Sequence, residues 1–173
     1  MKKTKWFDPN TLYNLIFPLF MLYLLSPLLW VVMIIGNFLI DSLVVLIASR
    51  KITKKKEQVK KIWKTSILKV VIFGFLSDLM GSLTTTVLAF AIGWFAPTEW
   101  TVWGGFLDIY SYPGALIYAL PAILIAGWMI YVLNKRWSFN KAGISTKNKK
   151  GLALCLAIFT APYFMLLPTT LFW

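Results

Sequence analysis

The feature that most constrains this chain is a series of long apolar runs separated by clusters of lysine and arginine. The hydrocarbon core of a bilayer is about 30 Å thick, and a helix of roughly 20 residues crosses it. The chain has 173 residues, of which 59% are hydrophobic. That leaves room for about five such helices and little else. The sequence therefore predicts an all-α, polytopic transmembrane helical bundle that forms a single integral membrane domain over residues 1–173.

Five membrane spans are predicted, at residues 9–25, 27–49, 66–95, 113–133 and 151–173. Proline suits the first turn of a helix, and Pro9, Pro27 and Pro113 begin three of these spans. The first run follows three lysines in the manner of a signal sequence, but no small-x-small cleavage site follows it, so we interpret it as a retained span. As a helix it is only about 26 Å long. A re-entrant or in-plane helix therefore remains an alternative, which would leave four spans.

The distribution of charge predicts the orientation of the chain. Lysine and arginine number 18 against six acidic residues, and none of the basic residues lies between Lys69 and Lys135. Cytoplasmic loops gather basic residues, whereas exported loops avoid them. We therefore predict an N-in/C-out topology with a polybasic cytoplasmic loop at 50–65 and an aromatic exported loop at 96–112. The composition is typical of a multi-pass protein of a bacterial plasma membrane.

The net charge of +12 is interpreted as a consequence of this topology, and no nucleic-acid partner is expected. Polybasic segments beside a membrane attract anionic lipid by about 1 kcal/mol per charge. Ile52, Val59, Ile62 and Trp63 recur at helical spacing in the basic segment, so part of it is predicted to lie on the membrane as an amphipathic helix. The lysines expected to contact anionic lipids at the cytoplasmic face are Lys54, Lys55, Lys56, Lys60, Lys61 and Lys64.

The residue inventory excludes most catalytic and metal chemistry. The chain has no histidine and a single cysteine, Cys155. An intrachain disulfide, a histidine-ligated metal and a Ser-His-Asp triad are therefore excluded. Intramembrane aspartyl proteases carry a Gly-x-Gly-Asp motif, but the residues before Asp78 read Gly-Phe-Leu-Ser. We expect no catalytic residue, no cofactor and no metal site.

Two of the acidic residues fall inside predicted spans. Asp41 lies nine residues before Arg50, and Asp78 lies nine residues after Lys69. At 1.5 Å per residue, each would lie roughly 13 Å from the cytoplasmic boundary. Their helices are consecutive and antiparallel, so the two acids are predicted to lie near the midplane of one hairpin. A carboxylate at that depth is costly and is therefore a candidate for function.

Polar residues accompany both acids. Asn37 lies one helical turn before Asp41, while Ser77 and Ser82 lie beside Asp78 in sequence. The structural alternative is that the acids are protonated, or bonded to Asn37 and Ser82, and fix the register of the two helices. Small residues in rows at a spacing of four let transmembrane helices pack closely. The predicted packing positions are Gly74, Gly81, Thr85, Ala89, Ala153, Ala157 and Ala161.

Three functions are compatible with this pattern. The first is a transporter or channel-like protein for a proton, a cation or a small solute, which uses the polar residues at the midplane. The second is a non-catalytic subunit, assembly factor or immunity factor that binds another membrane protein or a second copy of itself. The third is recognition of anionic lipid or lipid-linked phosphate by the basic loop.

Overall fold

The computed structural model describes residues 27–95 and 116–166, and every regular element in these two ranges is helical. The all-α prediction is therefore confirmed for this part of the chain. The first predicted span, at 9–25, and the aromatic loop at 96–112 lie outside the described residues. The described residues contain four α-helices, which we number α1 (Pro27–Ile52), α2 (Lys56–Phe95), α3 (Leu116–Leu133) and α4 (Thr146–Phe159).

One predicted span boundary coincides with a helix end inside the described residues. Helix α3 ends at Leu133, the last residue of the predicted span 113–133, and a π-helical turn follows it. Pro121 lies inside α3 and does not end the helix.

The basic segment 50–65 is mostly helical rather than an extended loop. Only residues 53–55 separate α1 from α2, which continues as one helix of 40 residues through the lysine-rich stretch. Val59 and Ile62 are buried in the protein at 7% and 0% exposure. The predicted amphipathic helix lying on the membrane is therefore replaced by an extension of α2 whose apolar residues pack against α1 and the core.

The last predicted span, 151–173, is not one continuous helix in the described residues. Helix α4 begins earlier, at Thr146, where the Ser145 side chain accepts a hydrogen bond from the Asn148 backbone N–H. It ends at Phe159, and a short 3₁₀ turn follows at Tyr163–Leu166. Pro162 lies between the two, and proline has no backbone N–H with which to continue a helix.

A tight connection joins α3 to α4. A π-helical turn, Asn134–Ser138, is followed by a 3₁₀ turn, Asn140–Ala142. Asn134 donates to the Ile130 carbonyl at 2.8 Å and accepts a hydrogen bond from the Ser138 hydroxyl at 2.6 Å, and both side chains are fully buried. Gly143 then reverses the chain with a φ of 67°, a conformation that glycine adopts without strain.

Small residues bring the helices close together. A side chain at Gly81 of α2 would lie 3.2 Å from both the Ala122 carbonyl oxygen and the Ala126 Cβ of α3. A side chain at Gly127 of α3 would in turn place its Cβ 3.6 Å from the Ala157 carbonyl oxygen of α4. Helix α3 is therefore packed backbone to backbone between α2 and α4, as small-residue rows allow.

The surface of this bundle is more apolar than parts of its interior. Along α2, large hydrophobic side chains recur every three or four residues on one exposed face, namely Leu68, Ile72, Leu76, Leu79, Leu83 and Val87. Polar side chains are instead buried, and these are Asp41, Ser42, Ser49, Ser66, Ser77, Ser82, Asn134 and Ser138.

Two helical segments in the described residues are long and apolar enough to cross a membrane. They are Val31–Ile52 in α1 and Lys56–Leu88 in α2. The criterion rests on length and composition alone.

Candidate functional site

A cavity of about 260 Å³ lies where α1 and α2 meet the end of α4. Helix α1 contributes Asn37, Ile40 and Asp41, and helix α2 contributes Gly74 and Asp78. The remaining wall is residues 159–163, the segment in which α4 ends. The two acids that the sequence analysis singled out therefore border one cavity, together with the amide of Asn37.

The Asp41 carboxyl group occupies space that Gly74 of α2 leaves free because glycine has no side chain. It is only 4% exposed, and its Oδ2 atom would lie 3.6 Å from a Cβ built at Gly74. Asp41 thus lies beside Gly74, one helical turn before Asp78. Gly74, predicted as a packing position, leaves room for this carboxyl group.

Asp78 has a buried carboxyl oxygen, Oδ1, that makes no hydrogen bond within the described part of the chain. A buried polar atom without a partner is costly, so it calls for an explanation such as water or a ligand. A bond from Ser82, one form of the structural alternative, does not account for this oxygen, whereas protonation of Asp78, the other form, is compatible with it.

Ser77 and Ser82 lie outside the cavity lining. The Ser77 hydroxyl is buried and donates to the Phe73 carbonyl of its own helix at 2.7 Å. Ser82 is 4% exposed, and its carbonyl accepts a hydrogen bond from the Thr86 hydroxyl at 3.0 Å. Ser82 lies one turn beyond Asp78 on the same side of α2 and Ser77 lies on a neighbouring side, yet neither residue borders the cavity.

The wall supplied by residues 159–163 was not predicted from the sequence. Thr160 ends α4, with both its backbone N–H and its hydroxyl donating to the Leu156 carbonyl. The Tyr163 hydroxyl donates to the Ile158 carbonyl at 2.7 Å, which ties the turn back to the helix. Pro162 was the available signal, since proline marks a break in a helix, but proline alone does not predict what the broken segment faces.

The cavity lining is acidic. Among the described residues it contains two carboxyl groups and no lysine or arginine. The C-terminal end of α4 also borders it, and the last carbonyls of a helix carry a partial negative charge. The arrangement is therefore suited to attract a cation or to hold protons.

The predicted lipid-contact lysines lie around the start of α2, away from this cavity. The side chains of Lys54, Lys55, Lys56, Lys60, Lys61 and Lys64 are all exposed.

The other predicted packing residues lie within the bundle. Ala153 is fully buried, and the Ala161 Cβ would lie 3.8 Å from a Cβ on Gly127. The Thr85 hydroxyl donates to the Gly81 carbonyl at 3.1 Å. Ala89 lies in α2, but its side chain is outside the described part of the molecule.

Across residues 27–95 and 116–166, no three or more histidine, cysteine or acidic side chains come together as a metal site would require. Comparison of the chain with protein-family models, with curated proteins and with solved structures finds no match.

Proposed function

We propose that this chain is a multi-pass protein of a bacterial plasma membrane, with about five spans and an N-in/C-out orientation. In this proposal Asp41, Asp78 and Asn37 form an intramembrane pathway for a proton, a cation or a small solute. The observation that carries the proposal is the cavity that both acids border.

The apolar exterior supports a membrane location. The core helix of a soluble protein is also long and apolar, but it is mostly buried. Here the most apolar windows of the two candidate spans are only 22% and 33% buried. The exposed apolar residues of α2, from Leu68 to Val87, would instead contact lipid.

The positions of the basic residues support several spans whose basic ends lie on the same side of the membrane. Helix α3 has 18 residues and no charged side chain. Arg50 and Lys51 occupy the last turn of α1, and Lys135 and Arg136 follow α3 directly. The Lys69 ammonium of α2 donates to the Trp137 carbonyl at 3.3 Å, which joins the basic ends of these helices. That end would lie on the cytoplasmic side.

The cavity supports transport more than docking to a partner. Small-residue rows would provide a docking surface if they faced outward. Gly81 and Ala157 instead face α3 within the same chain. The acids, by contrast, border a space that no described side chain fills.

Flux through reconstituted protein tests the proposal. The full chain is placed in liposomes that contain a pH-sensitive dye, and proton flux is followed after a pH jump or an imposed sodium, potassium or ammonium gradient. Wild-type protein should give flux above that of empty liposomes. Asp41→Asn or Asp78→Asn should reduce this flux at least about tenfold, because an amide cannot take up and release a proton or attract a cation as a carboxylate does.

Glu57→Gln provides the matched control, because Glu57 is an exposed acid in the first turn of α2. It should leave flux unchanged. All variants are checked for insertion and for a monodisperse elution profile. Equal flux in wild type and both aspartate variants would rule out the proposed pathway.

A further inference from the structure

We propose that the cavity between Asp41 and Asp78 is a binding site for a small aliphatic ammonium cation, with room for a diamine. This inference deepens the proposed function, because it names the class of solute that the same site would take.

The first argument for an ammonium ligand is the charge of the side chains that line the cavity. Asp41 is 4% exposed, and Asp78 Oδ1 is buried with no hydrogen-bond partner among the described residues. No basic side chain from residues 27–95 or 116–166 lines the same space. A buried carboxylate without a positive partner is strongly unfavourable, so these two groups are stabilised either by protonation or by a bound cation. An ammonium group satisfies a carboxylate by donating hydrogen bonds to it.

The size of the cavity carries the second step. A water molecule occupies about 30 Å³ in the liquid, so 260 Å³ is the space of roughly eight or nine waters. A single dehydrated inorganic ion would leave most of that space to water. An aliphatic amine with six heavy atoms fits with a few waters, and the proposed diamine would offer one ammonium group to each carboxyl group.

The apolar part of the wall carries the third step. Ile40 and Pro162 offer aliphatic contacts for a methylene chain, and the rings of Phe159 and Tyr163 also border the space. Aromatic rings attract ammonium groups through their π faces. The negative end of α4 adds to this preference. Organic ligand sites are typically mostly apolar with a few polar groups that fix orientation, which matches this lining.

Binding to the purified full chain in detergent tests the inference. Isothermal titration at neutral pH is performed with 1,4-diaminobutane, butylamine and the uncharged 1,4-butanediol. The diamine should bind about tenfold more tightly than the monoamine, because it forms a second charged hydrogen bond. The diol should not bind. Asp41→Asn and Asp78→Asn should each weaken diamine binding at least about tenfold, whereas Glu57→Gln should not change it.

A second variant keeps the test decisive if an aspartate variant fails to fold. A Cβ at Gly74 makes only ordinary contact with Asp41, so Gly74→Leu should fold while its side chain enters the cavity. It should weaken diamine binding at least about tenfold. Absence of diamine binding to wild type, equal binding to all variants, or competition by sodium chloride at the same concentration as the diamine would each overturn the inference.

These outcomes are separate from those of the flux experiment. Diamine binding that requires Asp41 and Asp78, in a protein that shows no flux, would support the binding site and contradict the transport proposal. Flux of protons or inorganic cations that requires the two aspartates, in a protein that does not bind the diamine, would support transport and contradict the diamine site.

Discussion

Helix α2 meets its neighbours in two different ways within two turns. At Gly81 it packs against α3 so closely that a Cβ would lie 3.2 Å from the Ala122 carbonyl oxygen. At Gly74 the same helix faces the cavity, and a Cβ would meet only the Asp41 carboxylate at 3.6 Å. Gly81 allows the backbones of α2 and α3 to meet, whereas Gly74 leaves space beside the Asp41 carboxyl group. The same residue type on the same side of one helix therefore serves close packing at one level and a polar site two turns away.

Replacing each of the two glycines by leucine should give the largest difference in thermal stability between the two regions. Gly81→Leu forces a side chain into the α2–α3 contact, and overpacking of this kind costs about 3 kcal/mol. The apparent melting temperature should fall by roughly 5–10 °C. Thermal unfolding followed by the elution profile of a fluorescent fusion in detergent measures it.

Gly74→Leu is the matched control, seven residues away on the same helix. Its melting temperature should stay within a few degrees of wild type, because the side chain enters existing space. Equal losses at both positions would mean that the cavity and the packed contact do not differ as described.

A smaller effect should separate buried polar groups with partners from those without. Asn134 is fully buried and takes part in two hydrogen bonds, to Ile130 and from Ser138. Asn134→Leu should cost about 2 kcal/mol, because the Ser138 hydroxyl is left without its acceptor. Asp78→Leu should not destabilise the protein, since Asp78 Oδ1 has no partner to lose among the described residues.

Chemical unfolding of the two variants in detergent, followed by circular dichroism, gives this ordering. A strongly destabilised Asp78→Leu protein, with Asn134→Leu close to wild type, would reverse the assignment of structural and functional polar groups.

The sequence was informative where local chemistry decides the outcome. The basic residues Lys135 and Arg136 follow the end of α3 at Leu133, as expected. The proximity of Asp41 and Asp78 followed from two consecutive antiparallel helices. The predicted relative depth of the two acids was wrong by one helical turn, since Asp41 lies beside Gly74. The prediction took Lys69 as the membrane boundary, but Lys69 lies well inside α2.

Other features depend on contacts between distant segments and could not be predicted. The lysine-rich start of α2 is helical because Val59 and Ile62 are buried against the rest of the bundle. Residues 159–163 reach the cavity from more than 80 residues beyond Asp78. Whether Pro162 kinks a helix or ends it depends on what fills the space around it, and Pro121 is retained inside α3. A local pattern does not distinguish these two outcomes.

Thiol labelling in native membranes tests the central claim, that water reaches the cavity bordered by Asp41 and Asp78 while lipid covers the exposed apolar face of α2. Cys155 is replaced by alanine, and single cysteines are introduced for Asn37 in the cavity wall and for Leu79 on the exposed face of α2. Only a thiolate reacts with methanethiosulfonate reagents, so the reaction rate reports access to water.

We predict that the cysteine at position 37 reacts, and about tenfold faster with a trimethylammonium reagent than with a sulfonate reagent of similar size. The cysteine at position 79 should react with neither while the protein is in the membrane. An unreactive cysteine at 37, or equal reactivity at 37 and 79, would contradict the account.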